Sequence, residues 1–160
     1  MWFEIDANGI SVRLQINGYE PASEHNWHKQ WCKCNFSFSS GDWLDYHSEN
    51  DEILLSAEVE GLEKALTELL DNNLSETKEI KFAEPDFVFK LHPQTDLRNN
   101  PNHIYICPGY EIQDIYLEWK VYFYDNGPKN NHLVIILTRN ELVVFRDYLA
   151  QVINRKLPIY

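Results

Sequence analysis

The chain has 160 residues and a formal net charge of −11, with 44% hydrophobic and 14% aromatic residues. Affinity for nucleic acid or for an anionic membrane comes from Lys and Arg, so this charge argues against both as direct partners. It favours encounter with a basic protein. The length suits one domain, residues 1–160, with a core large enough to need no metal or disulfide.

The first third of the sequence predicts β-strands joined by turns. Apolar and polar residues alternate over residues 10–16, and Asn17-Gly18 follows as a turn. Cysteine and phenylalanine occupy every second position over residues 32–38, which predicts one buried strand face. Residues 43–47 and 52–55 are predicted as two further short strands.

A helix is predicted over about residues 57–72. Ser56 is the expected N-cap, and Glu58 lies in the first turn, where the helix dipole favours an acid. Apolar residues recur at helical spacing from Val59 to Leu70 and predict the buried stripe.

The second half predicts more strands and a second helix. The strands are expected at residues 79–83, 87–91, 104–107, 112–124 and 132–137. Thr138 and Glu141 form a capping-box pattern that opens a helix over about residues 139–154. Short strands linked by turns favour antiparallel pairing. The predicted fold class is therefore α+β: a curved or sandwiched antiparallel β-sheet with two packed α-helices.

The sequence does not support a metal or cofactor site. His25, His28, Cys32 and Cys34 are possible zinc ligands, but their spacing differs from that of small zinc sites. Both cysteines also continue into an apolar strand face, where a thiol acts as a small hydrophobe. No cofactor is expected, and with only six glycines in the chain there is little material for a phosphate-binding loop.

No catalytic residue is assigned. Cys107 with His103 is the nearest approach to a nucleophile and base, and nothing else in the sequence supports catalysis there. A small cytosolic enzyme and an adaptor domain are two interpretations of function that the residues leave open. The start of the chain lacks the features of a secretion signal, so we expect a cytoplasmic protein.

An acidic segment is the main candidate for partner binding. Residues 34–63 contain eight acids and neither Lys nor Arg. The first-turn acids Glu58 and Glu60 are expected to serve the helix dipole. The candidate contact residues are the remaining turn and strand acids with two aromatic anchors: Asp42, Trp43, Asp45, Tyr46, Glu49, Asp51 and Glu52. The tyrosines of the 112–124 strand, Tyr116, Tyr122 and Tyr124, form either a second core layer or a second contact surface.

Several motifs along the chain form one pattern when they are taken in order. They are the Tyr-containing turn at residues 17–20, the tryptophan strand at 26–32, the strand-to-helix passage at 53–56, the Phe-x-Glu-Pro-x-Phe-x-Phe run at 82–89 and the final helix with Leu157-Pro158. This pattern resembles bacterial immunity proteins of the WapI type. The most specific piece, residues 82–89, resembles the family's Phe-x-Glu-Pro-x-Leu-x-Phe signature, with Phe87 where leucine is usual.

The resemblance implies a non-enzymatic inhibitor. Such a protein binds and blocks the C-terminal domain of a contact-dependent or polymorphic toxin, which is frequently a basic nuclease. An acidic segment could then compete with the phosphate charge that a basic cleft expects.

Overall fold

The first of two four-stranded antiparallel sheets comes from the first third of the chain. In the computed structural model, which describes residues 1–123 and 131–154, its strands lie in the order β1-β2-β3-β4. They are β1 (Phe3–Ala7), β2 (Ile10–Asn17), β3 (Trp31–Ser40) and β4 (Leu44–Leu55). Asn8 and Gly9 have φ of 54° and 83° between β1 and β2, as a tight hairpin turn requires.

The second sheet has the strand order β10-β9-β6-β5 and is also antiparallel. Its strands are β5 (Lys78–Lys81), β6 (Phe87–His92), β9 (Tyr116–Tyr122) and β10 (His132–Thr138). A separate two-stranded ladder, β7 (Thr95–Asp96) with β8 (Ile112–Gln113), closes the base of a long loop.

The inner faces of the two sheets pack against each other through aromatic side chains. Phe36 of β3 contacts Phe87 of β6 with ring centroids 5.1 Å apart, and Phe38 contacts Trp119 of β9 at 5.5 Å. These rings are almost completely buried, as the alternating pattern of both strands predicts. The sheets therefore share one core.

Two helices complete that core. They are α1 (Ser56–Leu70) and α2 (Arg139–Asn154), which pack against each other. Phe145 of α2 stacks on Trp119, with ring centroids 5.5 Å apart and an interplanar angle of 4°. Among the described helices, none has the length and apolar character needed to cross a membrane.

The α+β prediction with antiparallel sheets and two packed helices is confirmed. Both helices lie within two residues of the expected bounds. Ser56 is the first helical residue rather than the N-cap, a position that Leu55 occupies. Glu141 accepts the backbone N–H of Thr138 at 2.6 Å, which is one half of the predicted capping box.

Three strand predictions need correction. The strands expected at residues 43–47 and 52–55 are one strand, β4, interrupted by two register shifts relative to β3. The strand expected at 112–124 divides into β8 and β9 at Asp114. The Asp114 carboxylate accepts the Ile115 N–H at 2.8 Å and pairs with the Arg139 guanidinium at 2.6 and 2.9 Å. The strand expected at 104–107 is wrong, since these residues pair with none of the described strands and lie in an exposed loop.

Candidate protein-binding surface

Strand β4 lies at one edge of the first sheet, with β3 on its only paired side among the described strands. It carries most of the predicted contact residues. The five acids predicted to face a partner are all exposed: Asp42, Asp45, Glu49, Asp51 and Glu52. We call this set the acidic edge.

Two bulges shape the acidic edge. The pairing with β3 shifts by one residue on each side of Cys34, so β4 holds two extra residues over this stretch. Asn50 takes a left-handed φ of 52°, which asparagine tolerates better than most residues. Bulges and charges are common on sheet edges because they discourage pairing between identical strands. The acidic edge is therefore irregular as a strand and dense in negative charge.

The carboxylates of the acidic edge have almost no cationic partners. Among the described residues, the only basic group within ion-pairing distance is His47, whose Nδ1 lies 3.8 Å from an Asp45 oxygen. Asp51 accepts a hydrogen bond from the Ser48 hydroxyl at 2.9 Å, which is a neutral donor. This charge is thus available to a basic partner.

The acidic edge continues into a cleft between the two sheets. Asp51 and Glu52 line a cavity of about 320 Å³ together with Glu84 and Asp86, which precede β6. Asp86 is half-buried, and burial raises the pKa of its carboxyl to about 6, with the negative charge of Asp51 as the second cause. The residues before β6 therefore extend the negative surface that the β4 sequence predicts.

The raised pKa of Asp86 predicts a pH-dependent cost to stability. The unfolded carboxyl ionises near pH 3.8 and the folded one near 6, so folding becomes less favourable as pH rises through this window. We expect Asp86→Asn to raise the free energy of unfolding by about 1 kcal/mol at pH 8, after allowance for solvent screening, and to change it little at pH 4. Urea unfolding at both pH values measures this.

The adjacent exposed Glu84→Gln serves as the control, with no comparable gain expected at pH 8. Equal stability of Asp86→Asn and wild type at pH 8 would contradict the burial argument. Asp51→Asn should reproduce part of the gain, since it removes the second cause of the shift.

The two aromatic candidates have different environments. The Trp43 side chain is 67% exposed, and its indole N–H donates to the Ser40 hydroxyl at 3.1 Å. Tyr46 is half-buried and packs on Phe123 with ring centroids 4.6 Å apart. Of the two, Trp43 offers more accessible apolar surface, while Tyr46 also belongs to the packing between the sheets.

Two other acids of residues 34–63, the segment without Lys or Arg, form hydrogen bonds within the fold. Glu58 accepts the backbone N–H of Leu55 at 2.8 Å and that of Ala83 at 2.6 Å. Glu60 accepts the Tyr19 hydroxyl at 2.6 Å and the Ala22 N–H at 2.9 Å. Both therefore tie distant segments to the N-terminal part of α1, Glu58 from its first turn.

Removal of the Glu58 carboxylate should lower stability. Glu58→Ala leaves the Leu55 and Ala83 N–H groups without this acceptor, and we expect a loss of about 2 kcal/mol in the free energy of unfolding. Asp42→Ala is the matched control on the exposed turn and should change it by less than about 0.5 kcal/mol. Urea unfolding of both variants checks the contrast, and equal losses would contradict it.

The fold places the two histidines and the two cysteines considered for metal binding in different environments. His25 and His28 are exposed, His28 in a short 3-10 helix (Trp27–Lys29), whereas Cys32 and Cys34 are buried on the inner face of β3. Burial raises the pKa of both thiols, which favours the neutral form. No group of three or more potential metal ligands occurs within residues 1–123 and 131–154.

The face of the second sheet that carries the tyrosines is partly exposed to solvent. Tyr116 and Tyr122 are both of intermediate exposure, and Tyr124 lies outside the described residues. The Tyr116 ring stacks on His92 with centroids 4.2 Å apart. Burial lowers the pKa of His92, whose Nε2 lies 3.4 Å from a Glu118 oxygen. These side chains pack mainly on one another across neighbouring strands.

A second exposed feature was missed from the sequence. Ile104 is fully exposed in the loop between β7 and β8, and Tyr105 and Tyr110 are 75% and 73% exposed. Cys107, the other candidate in this loop, is also exposed. The sequence does contain a signal for this exposed loop, because residues 99–110 contain no Asp, Glu, Lys or Arg.

The structure has an α+β fold of two four-stranded antiparallel sheets and two helices, with an acidic edge and an exposed loop between β7 and β8. The chain belongs to the Immunity protein WapI-like family, whose model matches residues 3–156. This membership gives the chain the role of an immunity protein, as the sequence motifs indicated. No curated protein matches the chain significantly.

Proposed function

We propose that this immunity protein binds and neutralises a cognate toxin domain that is basic and of the nuclease type. The toxin would belong to a contact-dependent or polymorphic toxin system. The observation that carries the proposal is the acidic edge, five exposed carboxylates with a single histidine as their described basic neighbour. Complementary charge raises the rate of encounter between such a surface and a basic domain.

Inhibition would occur by binding alone, without a reaction catalysed by the immunity protein. A nuclease binds phosphate through Lys and Arg, so its cleft attracts carboxylates as well. Asp51 and Glu52 of the acidic edge supply that charge beside one cleft, together with the carboxylates of Glu84 and Asp86. The protein would occupy or shield the toxin's basic surface. It would do so in the cytoplasm, where an RNA-cleaving toxin acts. It would not itself contact nucleic acid or a membrane.

The proposed contact surface contains the seven residues of the β4 segment. They are Asp42, Trp43, Asp45, Tyr46, Glu49, Asp51 and Glu52. Trp43 would add an apolar contact to the charged surface, because its ring is 67% exposed and Asp42 and Asp45 are close to it in the sequence. We also propose that residues 1–160 act as one domain, since side chains of both sheets and both helices form one buried cluster.

Co-expression tests the function. The C-terminal domain of the large secreted protein encoded beside this chain's gene is expressed in cells with and without the immunity protein. We expect toxin-dependent growth arrest that the immunity protein relieves, and a complex that purifies with both chains. Growth arrest that persists despite full expression of the immunity protein, with no complex formed, would reject the proposal and favour an adaptor or enzyme.

A further inference from the structure

The loop between β7 and β8 presents apolar side chains that the core does not use. We call residues 97–111 the apolar loop. Ile104, Tyr105 and Tyr110 are all highly exposed on it. Long loops that expose large apolar side chains are uncommon outside binding surfaces, because water disfavours such exposure.

The composition of the apolar loop matches the centre of a protein interface. Residues 99–110 carry no charged side chain, although 24% of the whole chain is charged. Interface centres are depleted of charge and enriched in tyrosine. The absence of Lys and Arg over this stretch disfavours nucleic acid and anionic membranes as its partner.

The base of the apolar loop is held in place by hydrogen bonds. The Leu97 N–H donates to the Glu111 carbonyl at 2.8 Å, next to the β7–β8 ladder. The Arg98 guanidinium donates twice to Asp96, at 3.0 and 2.7 Å. The Glu111 carboxylate accepts the Gly109 N–H at 3.0 Å.

Further turns lie inside the loop. The His103 N–H donates to the Asn100 carbonyl, and the Tyr110 N–H to the Cys107 carbonyl, at 3.1 and 3.0 Å. A loop ordered before binding loses little conformational entropy in the complex. The exposed rings of Tyr105 and Tyr110 are therefore presented from a pre-organised backbone.

The apolar loop and the acidic cleft lie at opposite ends of the β6–β9 pair. The loop connects the end of β6 at His92 to the start of β9 at Tyr116. At the other end, the Tyr122 N–H donates to the Asp86 carbonyl at 2.9 Å. Six residues of strand separate the two ends, which corresponds to roughly 20 Å. Charge can act over this distance at low salt, whereas apolar contact cannot.

We propose that the apolar loop is the anchor of the toxin interface, with Ile104 and Tyr105 inserted into an uncharged, concave pocket of the toxin domain. This inference rests on the proposed function and assigns a different role to each surface. The acidic edge accelerates encounter, and the apolar loop holds the complex. A second copy of this chain is disfavoured as the occupant, because two molecules of charge −11 repel each other.

Binding kinetics test the division of roles. Ile104→Ser and Tyr105→Ser are combined in the full-length protein, and Val144→Ser, an exposed aliphatic of α2 that is 49% accessible, is the control. Association and dissociation with the purified neighbouring-gene toxin domain are measured at low and high salt. We expect dissociation of the double variant to accelerate about tenfold or more, with unchanged association and salt dependence. The control should match wild type.

Each outcome decides the inference. Unchanged dissociation by a double variant that retains the wild-type melting temperature overturns the anchor role and leaves the proposed function standing. Failure of the wild-type protein itself to bind overturns the proposed function and this inference with it. A wild-type dimer in light scattering that the double variant abolishes assigns the apolar loop to self-association and likewise overturns the proposal.

Discussion

Reversal of four acids on the acidic edge is expected to slow toxin association by about tenfold or more at low salt. The variant combines Asp42→Lys, Asp45→Lys, Asp51→Lys and Glu52→Lys. All four side chains are exposed, so the fold should tolerate the change. The reason for the slower rate is local repulsion from a basic partner. Stopped-flow or surface-based kinetics over a series of salt concentrations measures it.

A control with the same change in net charge separates local from global effects. Glu24, Glu68, Asp71 and Glu76 lie outside β4 and can be reversed together. This control should retain most of the wild-type association rate, and both variants should converge with wild type at high salt. Equal rates for the two quadruple variants at low salt would remove the acidic edge from the mechanism.

Replacement of Trp119 by alanine should cause the largest loss of stability. The ring is fully buried and contacts Phe38, Phe87, Phe89 and Phe145 at centroid distances of 5.1 to 5.5 Å. It thereby joins both sheets to α2. We expect the free energy of unfolding to fall by about 3–5 kcal/mol, because alanine leaves a large cavity at this junction. Chemical denaturation monitored by circular dichroism checks the value.

Two further variants sharpen the result. Trp119→Phe keeps an aromatic ring and removes an indole N–H that is buried without a hydrogen-bond partner among the described residues, so its loss should be much smaller. Trp43→Ala removes an exposed ring and should change stability by less than about 0.5 kcal/mol. A loss for Trp119→Ala no greater than that for Trp43→Ala would contradict the central role of this ring.

Local patterns in the sequence were sufficient for most elements. The apolar stripe of α1, the capping box before α2 and the alternation in β2 and β3 all appear in the structure at the expected places. Strands β1 and β7 were not predicted, although β1 had a signal in Asn8-Gly9, whose φ values suit a hairpin turn. Such signals are reliable because helix periods, turns and caps depend on residues only a few positions apart.

The errors came from interactions between distant residues. At the break before β9, the Asp114 carboxylate pairs with Arg139, which lies 25 positions further along the chain. The loop at residues 97–111 has a short apolar run that resembles a strand, but the described residues offer it no neighbouring strand to pair with. Pairing partners are chosen by the whole chain, so a short run of apolar residues cannot specify them.

By itself, the sequence determined the α+β class, the two helices, the excess of acid in the β4 segment and the motifs of the immunity family. Only the tertiary structure decided which of these acids remain available to a basic partner. Glu58 and Glu60 fold back onto backbone and hydroxyl donors, whereas the acids of β4 lie on an edge that no described strand covers, with Asp51 and Glu52 beside Asp86. Tertiary packing also left the apolar loop outside the core. The physical reason is that charge and hydrophobicity belong to a residue, while exposure and hydrogen bonding depend on neighbours that folding brings from elsewhere in the chain.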